Sequence, residues 1–165
     1  PGYAIGGVAV GESPNAIAEV VKYTAKLLPA EKPRYLMGVG YERDIVSAVA
    51  AGIDMFDCVL PTRNGRNAHA FTRNGQIHLR NARFKDDMSV LEDGCTCYTC
   101  SNGHGRAYLR HLYTSKEMLG GILVSIHNIH HFQSLMVDIR AAISENNWSW
   151  LISRWPVLQH SPATT

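Results

Sequence analysis

An aspartate stands in an apolar segment near the middle of the chain. Asp57 is the only charged residue in Met55–Leu60, a run typical of a buried parallel strand, where a carboxylate needs a specific reason. Arg63 and Arg66 follow in a segment whose Pro61 and Gly65 predict a polar turn. A buried carboxylate beside two planar cations suits a phosphate-bearing substrate. We therefore expect Asp57 to be catalytic, although the local pattern also fits a helix cap or half of a salt bridge.

A second group of reactive residues is the cysteine triplet Cys95, Cys97 and Cys100, spaced C-x-C-x2-C. Reduced thiols this close together indicate metal ligands and not disulfides. Three thiolates need a fourth donor to complete a tetrahedral structural zinc site, which leaves no open position for catalysis. The downstream histidines that could supply it are His104, His111, His127, His130, His131 and His160. Of these, His104 would close a local knuckle, whereas His127 would pin a helix to the cysteine loop. The pattern alone leaves this choice open.

The elements that position Asp57 alternate between strands and helices, which is typical of parallel β/α units. We predict strands at Tyr3–Val10, Arg34–Gly40 and Met55–Leu60, with helices beginning at Ser13-Pro14 and spanning Glu42–Ala51.

The predicted strand ends carry residues suited to a site, namely Gly6-Gly7, Met37-Gly38 and Asp57. In a (β/α)8 barrel these ends converge on one mouth. Three units cannot close such a barrel, which takes about 250 residues. The remaining strands are therefore expected from sequence outside this chain, and the start at Pro1 in an apolar segment also indicates part of a longer protein.

Beyond Arg66 the pattern changes. Two alternating runs around Asn74-Gly75 predict a hairpin, with His69 and His78 facing solvent. A long helix is predicted further on from apolar residues at helical spacing. These are Leu119, Ile122, Ile126, Ile129, Phe132, Met136, Ile139 and Ile143.

The composition bounds the class of protein. The chain has 165 residues, 45% hydrophobic and 18% charged, with a formal net charge of +2. This fits a single globular domain. The near neutrality argues against bulk electrostatic coating of nucleic acid, although it permits a local basic patch. No apolar run is long enough to span a bilayer, so we expect a cytosolic protein without a membrane partner.

Several ordered motifs together resemble the carboxyl-terminal half of the tRNA-guanine transglycosylases, also called queuine tRNA-ribosyltransferases. The similarity covers about residues 1–143. Its motifs are Gly2–Glu12, Tyr35–Gly40, Asp54–Arg66, Asn81–Phe84, the cysteine triplet, Arg106–Leu109 and His127-Asn128.

The resemblance implies a (β/α)8 TIM barrel with an inserted zinc subdomain. Residues 1–66 would form the last part of the barrel, with three strands and two helices. Residues 67–117 would form the hairpin and zinc subdomain, 118–146 a closing helical segment, and 147–165 a tail that matches the family only loosely.

The implied activity is exchange of the wobble guanine of a tRNA anticodon for a 7-deazaguanine, with Asp57 as the nucleophile that forms a covalent ribose intermediate. The resemblance assigns base binding to Gly7, Val8 and Met37, and the fourth zinc ligand to His127. It also implies a homodimer contact in the zinc subdomain. It assigns RNA contacts to Gly38, Val39, Gly40, Tyr41, Glu42, Arg43, Asp44, Thr62, Arg63, Asn64, Gly65 and Arg66.

The sequences around Gly7 and Arg63 look more like bacterial members, which insert 7-aminomethyl-7-deazaguanine in queuosine biosynthesis. The family's general acid/base and part of its base pocket belong to the first half of the enzyme, so we expect this portion alone to be inactive. The alternatives are a non-catalytic zinc module that binds RNA or supports a dimer, and an archaeosine-type enzyme that acts elsewhere in tRNA.

Overall fold

The computed structural model describes residues 1–159, which fall into two compact units that meet between Val59 and Leu60 in the sequence. The first unit contains a parallel three-stranded sheet in the order β1-β2-β3. Its elements are β1 Tyr3–Ile5, α1 Pro14–Ala25, β2 Arg34–Met37, α2 Glu42–Ala50 and β3 Met55–Asp57.

Local sequence signals explain the helix ends of this unit. The Ser13 hydroxyl accepts a hydrogen bond from the Ala16 N–H, and Pro14 occupies the first turn of α1, where a missing N–H costs nothing. The helix α2 ends before Gly52, whose φ of 99° favours glycine. Both helices form as predicted and cover a core that includes Val21, Leu36 and Ile53.

The three strands are shorter than predicted. They end at Ile5, Met37 and Asp57, and not at Val10, Gly40 and Leu60. In β3, pairing with β2 stops at the Met37–Asp57 step, and Leu60 already begins a helix. The prediction that Asp57 is buried is wrong, because Asp57 is the exposed last residue of a strand that pairs only with β2 among the described residues.

The second unit begins with a helix and a hairpin and continues as a helical subdomain. Its elements are α3 Leu60–Arg66, β4 His69–Thr72, β5 Gly75–His78, a 3-10 turn Ala82–Phe84, α4 Tyr98–Ser101, α5 Arg106–Thr114, α6 Met118–Ser144, α7 Trp148–Arg154 and a 3-10 turn Pro156–Gln159.

The predicted turn at Thr62–Arg66 is instead the end of the helix α3. Pro61 is tolerated because it lies in the first turn. Gly65 packs against α6, where an added Cβ would lie 2.5 Å from the Ser125 Oγ and 2.9 Å from the Ser125 main-chain N. Here the glycine permits close helix packing and does not end the helix.

The hairpin forms as predicted, with antiparallel pairing of His69 and His78 at its open end. His69 is half-buried and not fully solvent-facing, because its ring stacks on that of His78 with centroids 4.3 Å apart. Burial, followed by the charge of His78, lowers the pKa of His69.

The long predicted helix is α6, but its apolar periodicity marks its buried side only in part, since Phe132 and Ile139 are buried. Leu119, Ile122, Ile126 and Ile129 are exposed, whereas His127, Asn128 and His131 are buried. His127 and Asn128 point inward because they hydrogen-bond main-chain groups of the subdomain, and the His131 ring packs on Phe132 and Trp155.

Part of the predicted tail is ordered around a buried tryptophan. The Trp155 indole N–H donates to the Asp138 carboxylate at 2.8 Å, and the Arg154 guanidinium pairs with the same oxygen at 2.7 Å. The rest of that tail, residues 160–165, lies outside the described residues. Within residues 1–159 no helix is both long and apolar enough to cross a membrane.

Candidate active site and metal centre

Asp57 is anchored at the carboxyl end of β3 by two donors from β2 and the residue after it. Its Oδ1 accepts a hydrogen bond from the Tyr35 hydroxyl at 2.5 Å and from the Gly38 N–H at 3.1 Å. The parallel register pairs Met37 with Asp57. Because side chains alternate along a strand, Tyr35 lies on the same side of the sheet as Met37. One carboxylate oxygen is thus fixed, and the other is available to a ligand.

These contacts also adjust the acidity of the pair. The Tyr35 hydrogen bond, followed by that of Gly38, holds the pKa of Asp57 below its usual value of 3.8. The same bond raises the pKa of Tyr35. Asp57 is therefore an exposed, ionised and oriented carboxylate at neutral pH, which a nucleophile requires.

Of the predicted base-binding residues, Met37 lies opposite Asp57 in the register of β2 and β3. Gly6 lies against Met37, since a Cβ at Gly6 would be 3.0 Å from the Met37 sulfur. Gly7 has a φ of 74°, a conformation that favours glycine, and its main chain is exposed. Val8 packs on the core of the unit. Gly7 and Met37 thus offer an exposed backbone and an exposed thioether at the strand ends.

The predicted RNA-contacting stretch Gly38–Asp44 is accessible only in part. Gly38 and Tyr41 are exposed, whereas Val39, Gly40 and Glu42 are buried. Arg43 and Asp44 are half-buried, and burial raises the pKa of Asp44.

The second predicted RNA-contacting stretch belongs to the second unit as part of α3. Arg63 and Arg66 are exposed in its last turn, where a cation is favoured by the helix dipole. Thr62 and Asn64 are half-buried, and Gly65 is buried under α6. The helix α3 therefore exposes its two arginines, whereas its glycine is buried.

The structure brings Cys95, Cys97, Cys100 and His127 together, and their ligand atoms all lie within 4.8 Å of one another. The His127 Nδ1 is 3.7, 3.5 and 3.5 Å from the three sulfurs in that order. Tetrahedral zinc with bonds of about 2.3 Å to sulfur and about 2.1 Å to nitrogen puts these atoms about 3.6 Å apart. The four residues can therefore hold a metal ion of that size.

The surroundings of the cluster orient its ligands. The His127 Nε2 donates to the Phe71 carbonyl at 2.8 Å, which leaves Nδ1 to face the sulfurs. The Thr99 hydroxyl donates to the Leu123 carbonyl, which ties the cysteine loop to α6 one turn before His127. Such support on both sides is typical of a structural metal site.

The pKa shifts in the cluster agree with a thiolate at Cys97 that its neighbours stabilise by hydrogen bonds. Hydrogen bonds from the Cys100 and Cys95 thiols lower the pKa of Cys97 well below its usual range. Burial lowers the pKa of His127, but the hydrogen bonds to Cys95, Cys97 and Phe71 outweigh burial and raise it to about 10.

None of the other candidates among the described residues belongs to the cluster, and His160 lies outside the described residues. His104 stacks on Tyr108 with ring centroids 5.7 Å apart, and it is not part of the cluster. The choice that the sequence pattern left open therefore falls on His127, in agreement with the resemblance.

Two residues of these sites were not singled out as functional in the sequence. Tyr35 binds Asp57; its spacing of two residues from Met37 places both on one face of β2, but only the register of β2 and β3 brings it to Asp57. Asn128 was noted only as part of a motif, and its buried hydrogen bonds depend on long-range packing that spacing does not reveal.

The chain thus contains a parallel β/α unit with an exposed carboxylate and a subdomain whose Cys3His cluster could hold a metal ion. The family model described as Queuine tRNA-ribosyltransferase matches residues 1–158. The chain belongs to this family.

Similar proteins agree with this assignment. The chain is 54% identical over 143 residues to the Queuine tRNA-ribosyltransferase of Methylibium petroleiphilum, covering 87% of this chain and 38% of that protein. It is 51% identical over 154 residues to that of Buchnera aphidicola, covering 93% and 42%. For Thiobacillus denitrificans the identity is 49% over 158 residues, covering 96% and 43%. The chain thus spans about two fifths of the length of these relatives.

Proposed function

We propose that the protein containing this chain is a tRNA-guanine transglycosylase that exchanges the wobble guanine of a tRNA for a 7-deazaguanine. The observation that carries the proposal is the oriented carboxylate of Asp57 at the end of a parallel strand, in a chain of this family. The proposed incoming base is 7-aminomethyl-7-deazaguanine, for queuosine biosynthesis, because the sequences around Gly7 and Arg63 look more like those of bacterial members. A tRNA substrate also favours a cytoplasmic location for the protein.

The reaction is a double displacement. The free oxygen of Asp57 attacks C1′ of the ribose, the bond from C1′ to the guanine nitrogen breaks, and guanine leaves with its electron pair and takes up a proton. The incoming base then attacks C1′, loses a proton and releases Asp57. The target nucleotide must leave its stack to reach the carboxylate.

The other predicted residues take supporting roles. Gly7 and Val8 bind the base through their main chain, and Met37 packs on its ring, which suits a polarizable thioether. Arg63 and Arg66 contact the anticodon, because a guanidinium can bind phosphates and base edges in two places at once. Tyr41 and Gly38 are the accessible parts of the other RNA-contacting stretch.

The metal is proposed to be zinc, bound by Cys95, Cys97, Cys100 and His127. Four protein ligands leave no open position, so zinc would supply structural stability and no step of the reaction. The subdomain it supports is proposed to form a homodimer contact. Exposed Tyr98 and Tyr108, with His104 between them, give this subdomain an aromatic surface that suits a protein partner.

The barrel is proposed to be completed by sequence beyond this chain, including the general acid/base. The chain alone is therefore expected to be inactive. A non-catalytic zinc module is the less favoured alternative, because such a module has no use for a carboxylate anchored as Asp57 is.

The test is incorporation of labelled guanine into tRNA by the full-length protein. We expect exchange by the full-length protein, none by this chain alone and none by full-length Asp57→Asn. The matched control is Asp54→Asn, because Asp54 only accepts a hydrogen bond from the Arg34 N–H at the start of β3. Exchange that survives in Asp57→Asn would contradict the proposal.

A further inference from the structure

One fully buried amide connects three segments of the second unit. The Asn128 Oδ1 accepts from the Phe71 N–H at 3.0 Å. Its Nδ2 donates to the Pro61 carbonyl at 2.9 Å and to the His69 carbonyl at 3.0 Å. All three partners are main-chain groups, two in β4 and one in the first turn of α3. The Asn128 side chain thus fixes the positions of main-chain segments.

The helix α3 depends on such anchors. It has seven residues, which is too short for a helix to be stable by itself. Asn128 holds its first turn at Pro61, and the Tyr113 hydroxyl hydrogen-bonds the Gly65 carbonyl near its other end. Arg63 lies between the two anchored residues, and Arg66 directly follows Gly65. The directions of both side chains therefore depend on how the anchors hold α3.

The same amide is adjacent to the metal cluster. His127 donates to the Phe71 carbonyl, while Asn128 accepts from the N–H of the same residue. Consecutive residues of α6 therefore bind both main-chain groups of Phe71, one as a cluster member and one as the anchor of α3. This gives a continuous hydrogen-bonded connection from the cysteine cluster to the arginine helix.

We propose that Asn128 is a positioning residue for RNA binding: it fixes α3 so that Arg63 and Arg66 present their guanidinium groups to the anticodon. The inference rests on the proposed RNA-binding role of α3, and adds to it a residue that does not touch the RNA. Asn128 acts through the arginines, so its effect must disappear when they are absent.

The experiment measures the affinity of the full-length protein for a synthetic anticodon stem–loop with guanine at the wobble position, by fluorescence anisotropy. The variants are Asn128→Ala, which removes the whole amide, and Asn128→Asp, which keeps the acceptor for Phe71 but loses both donors. Each is measured alone and with Arg63→Ala and Arg66→Ala. Asn102→Ala is the control, since the exposed Asn102 amide donates only to the Tyr98 carbonyl near the same cluster.

We expect each Asn128 variant to weaken binding about tenfold, with one bound metal per chain retained. We expect no further loss when the arginines are already replaced, a non-additivity that general destabilisation would not produce. Hydrogen exchange of the α3 amides should accelerate in the same variants. Asn102→Ala should leave affinity and exchange unchanged.

Three outcomes would overturn the proposal. One is unchanged affinity and unchanged α3 exchange in the Asn128 variants, and another is an equal loss of affinity with and without the arginines. The third is loss of bound metal and of the cooperative melt in both variants, which would make Asn128 a folding residue alone. Failure of the full-length protein without substitutions to bind the stem–loop would instead contradict the RNA role of α3. Hydrogen exchange of the α3 amides would then decide the positioning role.

Discussion

The hydrogen bond between Tyr35 and Asp57 is the residue-scale feature that makes the carboxylate suitable as a nucleophile. Exposure alone would leave Asp57 free to rotate, whereas two donors on one oxygen fix the direction of the other. They also stabilise the ionised form and so lower its pKa.

Replacing Tyr35 by Phe should raise the pKa of Asp57 towards 3.8, because the larger of its two stabilising hydrogen bonds is lost. The folded pKa of Asp57 is depressed, so its contribution to stability is present above pH 3.8 and is lost as the pH falls through the folded pKa. The Phe variant should lose less stability over this range. Carboxyl-carbon NMR titration measures the pKa of Asp57 with Tyr35 present and in the Tyr35→Phe variant.

The matched control for this change is Tyr23→Phe, at an exposed tyrosine of α1. It should leave the titration of Asp57 as it is. An unchanged pKa of Asp57 in Tyr35→Phe would mean that the hydrogen bond does not determine its acidity.

The metal ligands allow a second test at the residue scale. His127→Ala should abolish stoichiometric metal binding and lower the thermal midpoint, because three thiolates remain without their fourth donor. His104→Ala should keep one metal ion per chain, since His104 only stacks on Tyr108. Elemental analysis of the purified proteins distinguishes the two histidines, and equal metal content in both variants would refute the assignment.

At the scale of elements, the crossing of α3 and α6 depends on small residues. Gly65→Ala should destabilise the protein by about 1–3 kcal/mol, because the new methyl group would meet the Ser125 backbone and not only its side chain. The free energy of unfolding from denaturant titration measures this effect.

Gly121→Ala in the same crossing is the control. Its Cβ would lie 3.5 Å from the Arg66 Cα, an ordinary contact, and alanine favours a helix by about 1 kcal/mol over glycine. It should be neutral or stabilising. A neutral Gly65→Ala would show that the two helices are not as close as the structure has them.

Elements with local signals were predictable from the sequence. The Ser13-Pro14 cap, the Gly52 stop and the Asn74-Gly75 turn each act within a few residues, and the corresponding helices and hairpin form. The strand ends, the helix α3 and the buried side of α6 were not. Gly65 looks like a turn residue until Ser125 is known to lie against it, and that contact is distant in sequence.

The site residues also fall into those that the sequence could predict and those that it could not. The cysteine spacing predicted a metal cluster because the ligands are close in sequence, but the pattern could not choose between His104 and His127. Asp57 was singled out for the wrong reason, since it is exposed and held by hydrogen bonds. Its partner Tyr35 depends on the register of two strands, which the sequence pattern did not reveal.

For the whole molecule, the chain spans about two fifths of the length of its relatives, and each unit carries exposed apolar side chains. Leu119, Ile122 and Ile126 form an exposed stripe on α6. Tyr23 on α1 and Leu27 just after it are exposed as well. Exposed apolar stripes of this kind suit contacts with further chain or with a partner.

The isolated chain should therefore aggregate through this stripe, or be partly molten outside the Cys3His subdomain, because no strand within residues 1–159 pairs with the outer edges of β1 and β3. Size-exclusion chromatography and amide NMR spectra test this. A monomer with dispersed amide signals and a sharp cooperative melt would contradict it.

The central claim is that Asp57 forms the covalent intermediate, and trapping that intermediate tests it most directly. Full-length protein would be incubated with tRNA, denatured and digested, and the peptide that carries RNA would be identified by mass spectrometry. We predict an adduct on Asp57 that is absent from Asp57→Asn and present in Asp54→Asn. An adduct on another residue, or one that persists in Asp57→Asn, would contradict the assignment.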